Sequence, residues 1–516
     1  MRTDEAFAPL RQNETLEFMR TSQASSTAVI SPLREDFIQA AMRSPLTAVA
    51  AALLLRLGFL YLAHQAGGDF FAVGQEAGNV AWALALGHGF SSPLVGMQGP
   101  TAWVAPVYPM LLALGFKLLS MNPYHVVIFG QVLNSIFSAL TCWPIYLLAK
   151  KIFSPRVALV SCWTWAVLPT AILFPLEWIW DQSLTALLLT ALICATLYLP
   201  AEPSIRAARD AHRWLIWAGY GIGWAFALLT NPAIGLLLPL FLAWLAWQRH
   251  KSGVPWKGPI GIAVLTCVLG MVPWTARNYA ALGHLVPVKS NFGLEFWLGN
   301  NPDVKIIWTW WRSPASDAAE SDELHRLGEI TYMREKQSQA LQFIKAHPGT
   351  FLDSSFDRFV DTWTALWDRR VDPWVNALHA DAAYTSFCSI FSLLALLGLL
   401  LARRADAFQT FPLSAAMLLF PVTYYITHSA VRYRHPIDPL MTVLAVYAVA
   451  CVYANVTMRS ESSSRANSVS EGSLRSPALA SKLAAQTEAE GEEGSPATSN
   501  SRRRRRARSR RTAAME

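Results

Sequence analysis

The sequence predicts an all-α polytopic membrane protein, on three observations. The 516-residue chain is 53% hydrophobic and only 15% charged. Its mean hydropathy is +0.28. Its apolar residues gather into about ten to twelve runs of near-spanning length, separated by short basic turns or longer mixed loops. Such a balance excludes an ordinary soluble domain.

Residues 1–44 are polar and mixed in charge, with Arg2, Arg11, Arg20, Arg34 and Arg43. They lack the apolar core and cleavage site of a secretory signal, so the segment is expected to be cytoplasmic and the first span an uncleaved anchor. That span, about residues 45–65, carries Arg56. An Arg in lipid is costly and faces the protein interior or an interface, so it is expected to make a structural or a lipid contact.

Residues 67–109 hold two carboxylates, Asp69 and Glu76, and no Lys or Arg. Cytoplasmic loops collect Lys and Arg, so this acidic first loop is expected outside. The spacing of Val80, Ala83 and Leu84 predicts a surface helix over 76–86 that stops at Gly87 or Gly89. Pro93, Pro100, Pro106 and Pro109 then predict an irregular strap.

Further apolar runs follow at about 104–121, 124–149, 157–174, 181–200, 213–230, 232–248, 258–280, 385–402, 410–428 and 436–457. Basic clusters at Lys150, Lys151 and Arg156, at Arg206, Arg209 and Arg213, at Arg249, Lys251 and Lys257, and at Arg403 and Arg404 alternate consistently if placed inside. One step conflicts. Two runs lie between the acidic loop and Lys150, so either one is re-entrant or the Lys150 loop breaks the rule.

A long outer region is expected over about 282–384, helical over Tyr332 to His347, broken at Pro348 and amphipathic through Trp367. A short outer loop, THSAVRYRHPIDP, precedes the last span. Glu76, Arg277, Lys289, Arg432, Arg434 and His435 would then share one membrane surface. Carboxylates beside cations at headgroup level suit a transferase whose donor is a sugar on a lipid phosphate: the acid orients and deprotonates an acceptor while cations stabilise the departing phosphate. Taken singly, the arginines also serve as lipid contacts or helix caps, and Trp103, Trp274, Trp297, Trp308, Trp310 and Trp311 as interface anchors. Asp181, beside Glu177, is either a helix-terminal charge or a buried polar contact. His88 and His435 are expected as hydrogen-bonded loop histidines.

In order along the chain, NVAWALALGHGFSSP, GPTAWVAPVYPMLLALGF, WIWDQSLTALLL, PWTARNY with GHLVPVKSNFGLEFWLGNNP, and RYRHPIDPLM resemble the GT-C class of membrane glycosyltransferases. The resemblance is to the family 39 group, which holds protein O-mannosyltransferases and lipid A aminoarabinose transferases, and covers about residues 45–457. It implies a GT-C-like bundle of about 10–12 transmembrane helices with extracytoplasmic loops. It also implies an inverting transferase that uses a polyprenyl-phosphate sugar donor at the outer face of the bacterial inner membrane, with a lipid, glycan or protein acceptor.

In many relatives an Asp stands several residues before the alanine that matches Ala81; here that place holds Val73. Glu76 is the nearest acid and is assigned to the acceptor, with Asp69 second. Arg277, Lys289, Arg432 and Arg434 fall on basic motif positions and are assigned together to the donor phosphate. Some relatives bind a divalent metal near this acid; no ligand cluster is visible here, so no metal residue is assigned and metal dependence is left open.

Residues 458–516 are rich in Ser, Ala, Glu and Arg and lack the apolar side chains for a core, which predicts a disordered cytoplasmic tail. From Arg459 onward twelve Lys and Arg stand against seven Asp and Glu. The Arg502–Arg506 run marks topology or meets anionic lipid, and no nucleic-acid partner is expected. Six scattered cysteines form neither a disulfide framework nor a zinc spacing. A transporter or lipid flippase is the competing reading, but no repeated halves are visible, and apart from Arg56 the polar residues cluster in loops.

Overall fold

Ser44 and Pro45 open the first helix, α1 (Pro45–Gln65): the Ser44 hydroxyl accepts from Leu46 N at 3.3 Å, and Pro45 occupies a position where no N–H is needed. The computed structural model describes residues 44–67, 75–94, 96–119, 121–177, 179–199, 210–304, 307–366 and 382–474. Asp69, Val73, Trp367 and the Arg502–Arg506 run lie outside them. Among the described residues all regular structure is helical, with one isolated antiparallel bridge between Ser91 and Pro100.

The surface helix appears as α2 (Gln75–Ala85). His88 N donates to Ala83 O at 2.9 Å and Gly87 N to Leu84 O at 3.1 Å, with Gly87 at φ 86°; this is a glycine-terminated helix end, at the first of the two expected stops. Helix α3 (Val107–Leu118) packs on α2 through Tyr108, Leu112 and Phe116 against Ala77 and Ala81. Its 12 residues reach about 18 Å, well short of the roughly 30 Å hydrocarbon core. The re-entrant alternative, with this run returning along α2, would remove the conflict in the alternation of basic clusters.

Helices α4 (Pro123–Leu140) and α5 (Cys142–Ile152) form one continuous apolar stretch, with Lys150 and Lys151 at its carboxyl end, where cations favour the helix dipole. Helices α6 (Pro155–Val167) and α7 (Pro169–Glu177) meet at a 43° bend. Pro169 cannot donate to Trp165 O, nor Pro175 to Ala171 O, so two buried carbonyls lose their helical partners. Arg56 NH2 donates to Trp165 O at 3.2 Å and its NH1 to Ala166 O at 3.1 Å; Ser138 Oγ donates to Ala171 O at 2.9 Å and accepts from Arg56 Nε at 3.0 Å. The fully buried Arg56 is thus a structural contact that ties α1, α4 and α6 together.

The bundle continues with α8 (Gln182–Tyr198), α9 (Asp210–Thr230), α10 (Leu237–Lys251) and α11 (Lys257–Leu282). The long loop region contributes α12 (Phe292–Leu298), α13 (Ala318–Leu327), α14 (Glu329–Ala346) and α15 (Pro348–Thr364), so the expected break falls at Pro348. Then come α16 (Ala382–Asp406), α17 (Phe411–Leu419), α18 (Val422–Ile426), the one-turn α19 (Val431–Arg434) and α20 (Asp438–Leu474). The chain divides into two units, Met1–Ala450 and Cys451–Glu516; in the second, helix runs to Leu474 and the rest lies outside the described residues.

Six helices are long and apolar enough to cross a membrane; the bent α6–α7 pair and four shorter apolar helices bring the described segments to eleven. The protein is an all-helical, multi-pass membrane protein. Its main core gathers Trp165, Trp224, Phe241, Leu413, Met441 and Leu444 from the apolar helices. A second core of Val80, Phe90, Trp103, Trp274, Trp297 and Tyr332 joins the first loop to the long loop region. The candidate site lies along this second seam.

Candidate functional site

Three stitches hold the seam. Glu329, at the start of α14, accepts from Thr101 Oγ1 at 2.5 Å, Ala102 N at 2.9 Å and Ser290 Oγ at 2.6 Å. Ser290 N donates to Ala102 O, and Trp274 Nε1 to Val288 O, each at 2.8 Å. These bonds clamp the backbone on both sides of Lys289. Arg277 donates to Thr101 O and Phe90 O, each at 2.5 Å, and lies over the rings of Phe90 and Trp274. A third tie comes from the buried Arg358 of α15, which donates to Ile307 O at 2.9 Å, Tyr425 O at 3.2 Å and Gly299 O. Gly299 lets the end of α12 approach the loop that follows α18: a Cβ there would run into Thr427 O.

The stitched loops bring acids and bases together. Glu76, in the first turn of α2, is half-buried and accepts from the fully buried indole of Trp103 at 3.2 Å. Burial raises its pKa, while the Trp103 hydrogen bond and the charges of Lys289 and Arg432 pull it down. Glu295 of α12 is pushed up to about 7, by burial first and by the charge of Glu76 second, again against Lys289 and Arg432. Asp181, just before α8, is also raised by burial and opposed by Lys289 and by hydrogen bonds from Thr185 and Asn231. Three carboxylates therefore share one cation, Lys289, and two of them share Arg432.

An aromatic and imidazole wall completes the group. Tyr424 and Tyr433 stack at 4.9 Å, and the Arg432 guanidinium lies 5.0 Å from the Tyr433 ring. His428 has Nε2 3.0 Å from the Tyr433 hydroxyl and Nδ1 3.4 Å from Glu295 Oε2, and stacks on Trp308 at 4.8 Å. Burial, with help from Arg432 and Arg358, lowers its pKa to about 3, so the imidazole is neutral at physiological pH. Glu76, Asp181, Glu295, Arg432, Tyr424 and Tyr433 all keep part of their surface open, and Lys289 is exposed. Substrate groups can reach them.

Not every residue expected here joins the cluster. Arg277 is taken up by loop carbonyls. Arg434 is fully buried, paired with Asp438 at 3.0 Å and donating to Thr362 O at 3.2 Å and Ser392 Oγ at 3.2 Å. His435 is buried beside Asp438 at 3.3 Å and packs on the rings of Trp165 and Phe174. Asp69 lies outside the described residues. Trp103, expected as an interface anchor, is instead the hydrogen-bond donor to Glu76.

Glu295, His428, Tyr424, Tyr433 and Asn231 do not stand out in the sequence. Glu295 and Tyr433 sit inside the motif segments FGLEFWLGNNP and RYRHPIDP, and an acid framed by Trp and Phe is the signal that points to Glu295. Among the described residues no three His, Cys, Asp or Glu side chains converge on one point. The acids are answered by Lys289 and Arg432 instead, so the described residues do not make up a metal-ligand set.

Residues 103–274 match the family model described as dolichyl-phosphate-mannose-protein mannosyltransferase. The similarity to that mannosyltransferase family extends over this segment, about a third of the chain. The matched segment begins at Trp103, the partner of Glu76, and contains Asp181 and Asn231. Among curated proteins no sequence matches. Similar solved structures include the apo oligosaccharyltransferase of Archaeoglobus fulgidus, at 13% identity and TM-score 0.48 over 81% of this chain and 51% of that one. The same enzyme, AglB, with an inhibitory peptide and a dolichol-phosphate matches at 14% identity and TM-score 0.46, over 81% and 51%. ArnT from Cupriavidus metallidurans, bound to undecaprenyl phosphate, matches at 13% identity and TM-score 0.34, over 78% and 77%. The chain spans about half the length of the archaeal enzyme.

Proposed function

We propose that this chain is a GT-C relative that transfers a sugar from a polyprenyl-phosphate donor to an acceptor at the extracytoplasmic face of a bacterial inner membrane. The observation that carries the reading is the placement of Glu76 against both Lys289 and Arg432 at the rim of the apolar bundle. Phosphate oxygens of the donor fit between Lys289 and Arg432, whose charges stabilise the phosphate as it leaves. Glu76 accepts the proton of the acceptor hydroxyl or amine as that group attacks the anomeric carbon. One bond forms to the acceptor, the bond from carbon to phosphate oxygen breaks, and a single displacement inverts the configuration.

Burial serves this role, because a carboxylate with a raised pKa is a stronger base, while the charges of Lys289 and Arg432 work against that rise. Asp181 and Glu295 also interact with Lys289 through charge. Asp69 of the same loop is the second candidate carboxylate. The loop that bears Glu76 lacks Lys and Arg, and the helical stretch after it ends in Lys150 and Lys151, which supports the outer placement.

The test is sugar transfer in membranes that contain the wild type, Glu76→Gln, Lys289→Ala or Arg432→Ala, with a panel of radiolabelled polyprenyl-phosphate sugars. Label that reaches an acceptor only with the wild type supports the reading. Undiminished transfer by Glu76→Gln would move the base to Asp69, and a wild type that consumes no donor would overturn the function.

A further inference from the structure

A cavity of about 840 Å³ opens in the first loop, lined by Asn79, Trp82, His88, Met97, Gln98 and Arg277 among others. It is not the carboxylate cluster: among the described residues no Asp, Glu or Lys contributes to its wall. The two are nevertheless joined by α2. At 100° per residue Glu76 lies within about 20° of Ala83 and 60° of Asn79 around the helix, and Asn79 and Ala83 line the cavity. The space therefore continues the stripe of α2 on which the proposed base stands, one turn further on.

We infer that this cavity binds the acceptor, and that the acceptor presents a neutral sugar ring; the inference rests on the transferase reading above for its link to Glu76. Its size falls in the range of small-molecule sites, roughly 300–1,000 Å³. Trp82 is 37% exposed, with its ring held edge-to-face on Phe116 at 5.1 Å, and Phe90 and Met97 add further apolar wall. Apolar ring faces suit the C–H face of a sugar. Between them stand uncharged hydrogen-bonding groups, Asn79, His88, Ser92 and Gln98, which suit its hydroxyls. Asn79 is pre-set by donation to Pro93 O at 3.0 Å.

The single cation does not argue for an anion. The Arg277 guanidinium commits NH1 to Thr101 O and Asn278 Oδ1 and NH2 to Phe90 O, so three of its five N–H groups already serve the protein. An acyl chain would leave the four polar groups unpaired, and a phosphate would meet, among the described residues, one cation already bonded to loop carbonyls. The sugar could belong to a cell-wall glycan or to the headgroup of a glycolipid; both present the same ring.

The experiment uses full-length protein in nanodiscs without maltoside detergent, which would itself carry a sugar, on an immobilised panel of neutral mono- and oligosaccharides. Wild type and Glu76→Gln should both bind a subset of the panel. Trp82→Ala and Gln98→Ala should bind about tenfold or more weakly, and in transfer should raise the acceptor KM by a like factor with the donor KM unchanged. In the radiolabel assay, product that partitions into solvent identifies a glycolipid, and water-soluble, protease-resistant product identifies a glycan. Absence of wild-type binding to the whole panel, equal binding by Trp82→Ala and Gln98→Ala, or protease-sensitive label would overturn the inference. Sugar binding without donor consumption would leave the cavity assignment standing and sink the transferase reading instead.

Discussion

The indole N–H of Trp103 donates to Glu76 Oε1 at 3.2 Å, from a ring with no exposed surface. This bond favours the ionised carboxylate and works against the burial that raises its pKa. Trp103→Phe keeps the ring and deletes the donor, so the Glu76 pKa should rise further. A base must be unprotonated to act, so the acid limb of the kcat/KM profile should move to higher pH, with the alkaline plateau close to wild type. Profiles from about pH 5 to 9 check this, and an unmoved limb would remove Glu76 as the titrating base.

Lys289 and Arg432 act through charge on the same two carboxylates, Glu76 and Glu295, but stand on different supports. Lys289 is fixed by the bonds of Val288 and Ser290, whereas Arg432 leans on Tyr433. Loss of either cation should lower kcat about 10²-fold, as for a single charge that stabilises a leaving group. Arg432→Lys should recover part of that and Lys289→Ala none of it. Arg434→Lys, at a fully buried position paired with Asp438, should act through protein yield and thermal stability, not through kcat in the folded fraction.

Glu295 sets a pH dependence of stability. Its folded pKa, about 7, lies above its ordinary value of 4.5. Between those values the unfolded chain releases the proton that the folded chain retains, so stability is fullest below pH 4.5, falls as pH rises to about 7, and then levels. Glu295→Gln removes that loss. In thermal unfolding the variant should gain on the wild type at about pH 8 and show little difference at about pH 5. The reverse order would mean that Lys289 and Arg432 outweigh burial at this carboxyl.

Much of this was legible from composition and motif order, because lipid imposes strict rules on length and charge. Apolar runs marked the helices, and the lack of Lys and Arg marked the loop with Glu76. The same rules do not say which arginine faces which way. Arg277, Arg432 and Arg434 are alike as letters, yet one pins loop carbonyls, one meets the acids, and one is sealed against Asp438. That sorting depends on packing between segments more than a hundred residues apart, such as Thr101 with Glu329. Run 104–121 shows the same dependence on packing: its apolar residues Tyr108, Leu112 and Phe116 serve the contact with α2, which the run of letters does not announce.

Arg56 provides the sharpest test of how the bundle is held. Its guanidinium donates to Trp165 O and Ala166 O, at the bend that Pro169 creates, and to Ser138 Oγ, which in turn covers the carbonyl freed by Pro175. Arg56→Leu should leave buried carbonyls without donors at about 1–3 kcal/mol each, partly offset by the lower cost of placing Leu in lipid. The net loss should appear as a lower unfolding temperature and lower yield. If Pro169 is the reason the carbonyls need Arg56, the double variant Pro169→Ala, Arg56→Leu should be less destabilised than the sum of the two single changes, because replacing the proline restores an N–H to Trp165 O. Strict additivity in that cycle would show that Arg56 stabilises the bundle by some other contact.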